Sequence, residues 1–312
     1  MNDKPVIAAV DGSQDGLRAL EWALDAARRH EAPLRVLHVR PEPARTRSGG
    51  PPGPDEDPVL AQAQARLAEL GGVPSVEYVV TEGAPGALLT GAGAEARLLV
   101  LGSRGRGGFA SLLLGSNSLA AARDAECPVV VVPRPGRRGE EAEAPVRPDG
   151  PVVVGVNPDA SVGSDAPDSP DATTLAFAFD EAARRNTTLR VVTAYPSLLQ
   201  TVMLPGEVPP PQIDQDALEQ ETRALLDGLL APHRERHPHV AIDTAVLPGD
   251  AAGHLVDASE GAALVVVGRH RRRLFAAARM MGSVTQAVLL HSRSPVAVVP
   301  PVVPKANGAQ ED

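Results

Sequence analysis

The chain has 312 residues, a length that suggests about two domains. Hydrophobic residues make up 43% and aromatic residues only 2%, so the core must be built from Val, Leu, Ala and Ile. The single cysteine, Cys127, excludes an internal disulfide framework and a multi-cysteine metal site, and the net charge of −9 argues against nucleic acid as a partner.

The N-terminus runs from Met-Asn-Asp-Lys-Pro directly into an apolar segment. It lacks the basic region followed by an apolar region that marks a secretory signal. No apolar run approaches the roughly 18 residues of a membrane span. We therefore expect a soluble, cytoplasmic protein without a membrane partner.

Four segments of the first half recur in the second half, in the same order. They are PVIAAVDGS (5–13) with PVVVGVNPD (151–159), LRVLHVR (34–40) with LRVVTAY (189–195), LLVLGSRGR (98–106) with LVVVGRHRR (264–272), and CPVVVVP (127–133) with SPVAVVP (294–300). This repeat predicts one domain at 1–133 and a second at 150–301. The segment 134–149, rich in Pro, Gly and charge, is the predicted linker, and 302–312 is a tail.

Within each copy, short apolar runs alternate with stretches of helical spacing. The runs VIAAV, LRVLHV, VEYVV, LLVLG and PVVVV are continuous, as in parallel strands that are buried on both faces. Helical spacing between the first two strands is carried by Leu17, Leu20, Leu24 and Ala27, and in the second copy by Leu175, Ala178, Phe179 and Ala182, after a start at Ser169-Pro170. The pattern predicts an α/β fold with two tandem doubly wound, Rossmann-like domains, each a five-stranded parallel sheet flanked by helices. Ligands of such sheets bind at the carboxyl ends of the strands.

Two long segments, 40–57 and 196–216, follow the second predicted strand of each copy. Loops longer than about 12–15 residues are usually lids or surface segments. The sequence leaves both interpretations open.

The fourth predicted strand of the first copy leads into a glycine-rich loop, LLVLGSRGRGGFASLLLGSNSLAAA (98–122). Glycines let backbone amides approach an anion, and a helix N-terminus adds unpaired amides and a positive dipole end. Serine hydroxyls and nearby arginines would add donors and positive charge. This combination predicts a polyphosphate site built from Gly102, Arg104, Gly105, Arg106, Gly107, Gly108, Gly115, Ser116, Asn117 and Ser118.

Two other glycine motifs fit this loop poorly. A Walker loop requires Lys and then Ser or Thr after its last glycine, but Gly107 is followed by Gly108-Phe109. The stretch 105–110 fits the dinucleotide fingerprint G-x-G-x-x-[G/A], yet that fingerprint belongs in the first strand–helix turn, not the fourth.

The spacing Gly102-x2-Gly105-x9-Gly115-Ser116 resembles the ATP-binding pattern of the universal stress protein family. VDGS (10–13), TEGAPG (81–86) and the closing CPVVVVP also resemble landmarks of that family, and the resemblance covers roughly residues 4–133 and 150–301. It implies ATP as the ligand, with or without Mg²⁺, and a role in surviving stress, starvation or low oxygen. In ATP-binding members an aspartate that ends the first strand holds the adenosine, and backbone near the end of the second strand contacts adenine. The residues implied here are Asp11, Val39, Gly102, Gly105, Gly115, Ser116, Asn117 and Ser118.

The second copy departs from this pattern. Asn157 replaces Asp11, Arg271 replaces Gly105, and the span from Gly268 to Gly282 is one residue longer. We therefore expect one ATP per chain, bound by residues 1–133. The second copy is expected to be empty or to hold a small anion at Gly282-Ser283, or through Arg269 or Arg271.

No nucleophile, base and oxyanion donor are apparent together, which favours a binding protein over an enzyme and leaves slow ATP hydrolysis open. The resulting hypothesis is a stress protein in which nucleotide occupancy acts as a regulatory signal. A nucleotide-independent scaffold and an ATPase or adenylyl-transferring enzyme are the alternatives. The histidines of HRERHPH (233–239) have metal-pair spacing but fit an exposed helix end better, and Cys127 fits a buried thiol better than a redox sensor.

The last apolar strand of each copy, Val129–Val132 and Val296–Val299, is also a candidate for assembly. In the family that this chain resembles, such strands commonly pair two domains. We therefore expect an intramolecular pseudo-dimer, with a further homodimer and the identity of protein partners left open.

Overall fold

The computed structural model describes residues 4–41, 53–72, 74–105, 114–134, 148–158, 170–197, 214–269 and 281–301. The elements of the first half are β1 (Val6–Val10), α1 (Gln14–Arg29), β2 (Leu34–Arg40), a 3-10 turn (Pro54–Glu56), α2 (Pro58–Leu70), β3 (Val76–Glu82), α3 (Pro85–Ala92), β4 (Leu98–Gly102), α4 (Ser116–Asp124) and β5 (Val129–Val132). Those of the second half are β6 (Val152–Gly155), α5 (Pro170–Arg185), β7 (Leu189–Tyr195), α6 (Gln215–Arg236), β8 (Ile242–Pro248), α7 (Ala251–Ala258), β9 (Leu264–Gly268), α8 (Ser283–His291) and β10 (Val296–Val299). The predicted linker, the tail and the two long loops lie largely outside the described residues.

The ten strands of the described part form one sheet in the order β3-β2-β1-β4-β5-β10-β9-β6-β7-β8. Within each half every pairing is parallel, and the chain changes its winding direction between β1 and β4 and between β6 and β9. The prediction of two doubly wound α/β domains with five parallel strands each is confirmed. The two halves meet where β5 pairs antiparallel with β10, with Val130 opposite Ala297.

Local sequence explains where the first helix begins. The Ser13 hydroxyl caps α1 by accepting a hydrogen bond from the Gly16 amide at 3.0 Å. The predicted stripe is buried from Leu20 onward, whereas Leu17 in the first turn is only half-buried. In the second copy α5 begins at Pro170, and the predicted cap at position 169 lies outside the described residues.

The core is aliphatic and lies on both faces of the sheet. Every residue of β4 and of β5 is buried, which explains their continuous apolar runs. One apolar cluster packs under α1, α2, α5 and α6, and the other packs under α3, α4, α7 and α8. Both clusters continue across the β5–β10 pairing. No helix in the described ranges is long and apolar enough to cross a membrane.

Candidate functional site

A cleft of about 710 Å³ opens at the carboxyl ends of β1, β2 and β4. It lies beside the point where the first half changes winding direction, which is where open α/β sheets bind ligands. Its volume falls within the roughly 300–1,000 Å³ of small-molecule sites. The eight residues predicted from the sequence all line this cleft: Asp11, Val39, Gly102, Gly105, Gly115, Ser116, Asn117 and Ser118.

Asp11 follows β1, and its carboxylate is held in place by local hydrogen bonds. The amide and the hydroxyl of Ser13 donate to Oδ1 at 3.0 and 2.6 Å. A Cβ at position 105 would lie 2.6 Å from Oδ2, and one at position 16 would lie 3.0 Å from Oδ1. The absence of a side chain at Gly105 and Gly16 therefore leaves room for the Asp11 carboxylate. A side chain at either position would push this carboxylate out of place.

The N-terminus of α4 forms another wall of the cleft. Gly115 is its N-cap residue and supplies no side-chain cap, and the first intrahelical bond runs from the Leu119 amide to the Gly115 carbonyl at 3.0 Å. The amides of residues 116–118 come before that bond, so they are the orphan donors of the helix end. The side chains of Ser116 and Asn117 are exposed at this position.

Gly115 differs from Gly102 in what the fold requires of it. Gly115 has an ordinary extended conformation, and a Cβ there would come no closer than 3.5 Å to another atom, the carbonyl oxygen of Ser103. A Cβ at position 102 would lie 2.7 Å from the backbone carbonyl of Asp15 in α1. Packing of β4 against α1 thus requires Gly102, whereas nothing in the described fold requires Gly115.

Ser118 has a structural hydrogen bond. Its buried hydroxyl donates to the carbonyl of Gly102 at 2.8 Å and ties α4 to the end of β4. Thr285 makes the same bond to Gly268 at 2.9 Å in the second copy. Of the two serines of α4 that line the cleft, Ser116 is therefore the one whose hydroxyl remains accessible.

Buried charge fixes the end of β2. The Asp57 carboxylate caps α2 by accepting two of its amides, His38 Nδ1 lies 2.9 Å from Oδ2, and Arg40 Nε donates to Oδ2 at 2.7 Å. Burial by itself raises the pKa of Asp57, but the α2 amide and His38 outweigh it and the pKa lies below its usual 3.8. The cluster holds the strand end at which Val39 lines the cleft.

Sequence reasoning missed part of the cleft wall. The cleft is also lined by His38, Arg40, Pro85 and Leu89. His38 and Arg40 flank Val39, which was predicted, and Pro85 belongs to the TEGAPG turn. The sequence therefore marked positions next to these residues, but not the residues themselves. Arg104 lines the cleft as well, while residues 106–108 of the glycine-rich loop lie outside the described residues.

The second copy keeps part of the same frame. Gly282 is the N-cap of α8 without a side-chain cap, as Gly115 is for α4. Arg269 was expected to be available for an anion, but its side chain is buried and Nη1 donates to the carbonyl of Ala125 in the first half at 2.7 Å. That expectation is corrected for Arg269, and Arg271 lies outside the described residues.

The weaker candidate sites, the histidines of 233–239 and Cys127, take part in packing contacts. His233 is buried and stacks on Phe179 with ring centroids 5.3 Å apart, and burial lowers its pKa. His237 stacks on the same ring at 5.5 Å. Among the described residues, no group of three or more His, Cys, Asp or Glu side chains could hold a metal ion. Cys127 is buried, and burial raises its pKa to about 12.

The repeated sheet and the cleft define a tandem doubly wound α/β protein with a ligand-sized site in its first half. The sequence model of the Universal stress protein family matches residues 3–133 and again 161–300. The chain belongs to this family.

Relatives of known family match almost the whole chain in sequence, and a solved structure shares its fold. Universal stress protein Rv2005c of Mycobacterium tuberculosis is 37% identical over 308 residues, which cover 94% of this chain and 96% of that protein. Universal stress protein Rv2623 of the same organism is 33% identical, with 94% and 95% covered. The crystal structure of a universal stress protein from Archaeoglobus fulgidus aligns with a TM-score of 0.62 at 17% identity over 96% of this chain and 99% of that one, which supports the fold.

Proposed function

We propose that this chain is a cytoplasmic stress-response protein that binds ATP in the cleft of its first domain, and that nucleotide occupancy acts as a regulatory signal. The observation that best supports this proposal is the presence of glycine at position 115. The fold does not need a glycine there, yet one stands at the entrance to the orphan amides of α4, where a side chain would block an approaching phosphate.

The cleft suggests how ATP would lie. Asp11 would contact the adenosine and the backbone of Val39 the adenine, while Gly105, Gly115 and the first turn of α4 would hold the phosphates. Mg²⁺, where present, would enter with the phosphates. The residues bind and orient the nucleotide, and the proposal includes no bond cleavage.

Binding is proposed to be restricted to the first copy. In the second copy, Asn157 occupies the position equivalent to Asp11, and Arg271 occupies the position equivalent to Gly105. Each unmade polar contact costs roughly 1–3 kcal/mol. Two such losses would weaken the second site by about one to four orders of magnitude.

The first test is mass spectrometry of nucleotide released from freshly purified, denatured protein, followed by calorimetry. We expect ATP in the released fraction and one site per chain. Absence of nucleotide together with no calorimetric binding would favour the nucleotide-independent scaffold. Two equivalent sites would contradict the restriction to the first copy.

The second test uses a matched pair of variants. Gly115→Val should abolish ATP binding and leave the fold intact, whereas Gly282→Val, at the equivalent helix start of the second copy, should leave affinity unchanged. A Cβ at either position meets nothing closer than 3.5 Å, so both variants should fold. Unchanged affinity in Gly115→Val would remove that residue from the site. Phosphate release above background that this variant abolishes would instead indicate an ATPase.

We also infer that the two copies act as an intramolecular pseudo-dimer in solution. The support is the antiparallel register of β5 and β10, in which Val131 lies opposite Val296. Cysteines at these two positions, with Cys127 replaced by Ala, should crosslink within one chain and keep the mass at 32.4 kDa. Crosslinked dimers as the main product would show that the strands pair between chains.

A further inference from the structure

One arginine of the second domain caps a helix of the first domain. Arg269 follows β9, its side chain is buried, and Nη1 donates to the carbonyl of Ala125 at 2.7 Å. Ala125 is the C-cap residue of α4, the helix whose opposite end lines the nucleotide cleft. The nine residues of α4 span about 14 Å. The Arg269 contact and the proposed phosphate site therefore lie at opposite ends of one short helix.

The C-terminal end of α4 packs closely against the C-terminal end of α3. Ala125 is fully buried, and a Cβ at Gly93, the C-cap of α3, would lie 3.0 Å from the Ala125 Cβ. At the other end of the same helix pair, Pro85 of α3 and Asn117 of α4 both line the cleft. The two helices therefore connect the interdomain contact to the cleft as one packed unit.

The contact does not follow from the repeat. The residue after β4 that corresponds to Arg269 is Ser103, whose hydroxyl donates to Asp15 of its own half at 3.3 Å. The counterpart of Ala125 is Ser292, whose hydroxyl donates locally to the carbonyl of Ser294 at 2.8 Å. The arginine thus reaches in one direction, from the copy with the degenerate site to the copy with the cleft.

We propose that Arg269 is a positioning residue through which the second domain sets the phosphate affinity of the first-domain cleft; this rests on the function proposed above. A cation at a helix C-terminus stabilises the helix dipole, and a charged donor to a terminal carbonyl fixes the helix end. Both effects keep the orphan amides at the start of α4 aligned with the phosphates. Arg269 does not line the cleft, so its effect on the phosphates is proposed to pass through α4.

Calorimetry with three probes tests the proposal: ATP, tripolyphosphate and adenosine. Arg269→Met should weaken ATP and tripolyphosphate by about fivefold or more, the lower end of coupling between sites, and leave adenosine unchanged. Arg269→Lys should restore part of the loss, because an ammonium can donate to the same carbonyl. The control is Arg293→Met, which removes an exposed second-domain arginine paired with Glu260. Equal weakening of adenosine, or no difference from the control, would overturn the proposal.

Hydrogen exchange separates this proposal from the function on which it rests. In Arg269→Met without nucleotide, the amides of α4 should exchange faster, whereas those of α8 should not change. Unchanged protection of α4 would contradict the positioning role. If the wild-type chain bound no nucleotide but α4 lost protection in the variant, the ATP proposal would fail while the role of Arg269 in holding α4 would stand.

Discussion

A buried polar cluster of His30, Glu181 and Arg185 joins the C-terminal end of α1 in the first half to α5 in the second. His30 Nε2 lies 2.7 Å from Glu181 Oε1, and Arg185 pairs with the other oxygen of that carboxylate. Arg185 also lies over the ring of Trp22 in α1, 5.6 Å from its centroid. Because all three side chains are at least nine-tenths buried, we expect Glu181→Gln to be strongly destabilising.

The pKa of Glu181 gives the magnitude. Burial by itself raises it, but His30 and Arg185 outweigh burial and lower it from the usual 4.5 to about 2. At about 1.36 kcal/mol for each tenfold change, this difference corresponds to roughly 3 kcal/mol of stability at pH 7. That agrees with the roughly 3–5 kcal/mol lost when one partner of a buried ion pair is removed.

The sign of the pH dependence follows from the lowered pKa. The stabilisation is fully present above pH 4.5 and is lost as the pH falls through the folded-state pKa near 2. About 2 kcal/mol should remain at pH 3.5. The difference in unfolding free energy between wild type and Glu181→Gln should therefore shrink from about 3 to about 2 kcal/mol between pH 7 and 3.5.

Urea unfolding at both pH values measures this difference. The matched control is Glu219→Gln, because Glu219 and Arg223 form an exposed pair with the same i, i+4 spacing. That substitution should cost about 0.5 kcal/mol or less. A cost for Glu181→Gln equal to the control, or one that does not change with pH, would refute the reasoning.

Three further predictions concern single residues. Gly102→Ala should lower the unfolding free energy by about 1–3 kcal/mol without nucleotide, because its Cβ would meet the backbone of Asp15, whereas Gly115→Ala should be nearly neutral; equal effects in urea unfolding would contradict this. Asp11→Ala should weaken ATP more than tripolyphosphate, because the proposed contact is to adenosine, and equal losses in calorimetry would exclude that role. Cys127 should resist thiol reagents at pH 8 until the chain unfolds, because burial raises its pKa to about 12; rapid labelling of the folded protein would show otherwise.

Much of the fold could be predicted because patterns in neighbouring residues of the sequence determine its strands and helices. The continuous apolar runs indicated strands buried on both faces, and the repeat of four segments indicated two copies. The candidate cleft could be predicted for the same reason, since Asp11 and Gly102 each follow or end a strand at one edge of the sheet. Neighbouring wall residues such as His38 were missed because they carry no glycine or acidic signal.

Contacts between the two halves could not be predicted in the same way. Glu181 sits beside the apolar stripe of α5, where a charged residue usually faces water, and its contact across the two halves is with His30, at the end of α1. Arg269 opens the basic segment RHRRR (269–273), in which no apolar pattern indicates burial, yet its side chain enters the interface. Such contacts join residues more than 140 positions apart, and helical or strand periodicity contains no information about them.

The antiparallel pairing of β5 with β10 gives the molecule two unlike rims. All strands of the first half point toward one rim and all strands of the second half toward the other. The candidate cleft therefore shares its rim with the amino ends of β6–β10, while Gly282 lies at the opposite rim. A protein that docks on the rim with the cleft would contact both domains at once but only the first-domain cleft. Sequence changes at the amino ends of the second domain would then alter such docking without changing the lining of the cleft.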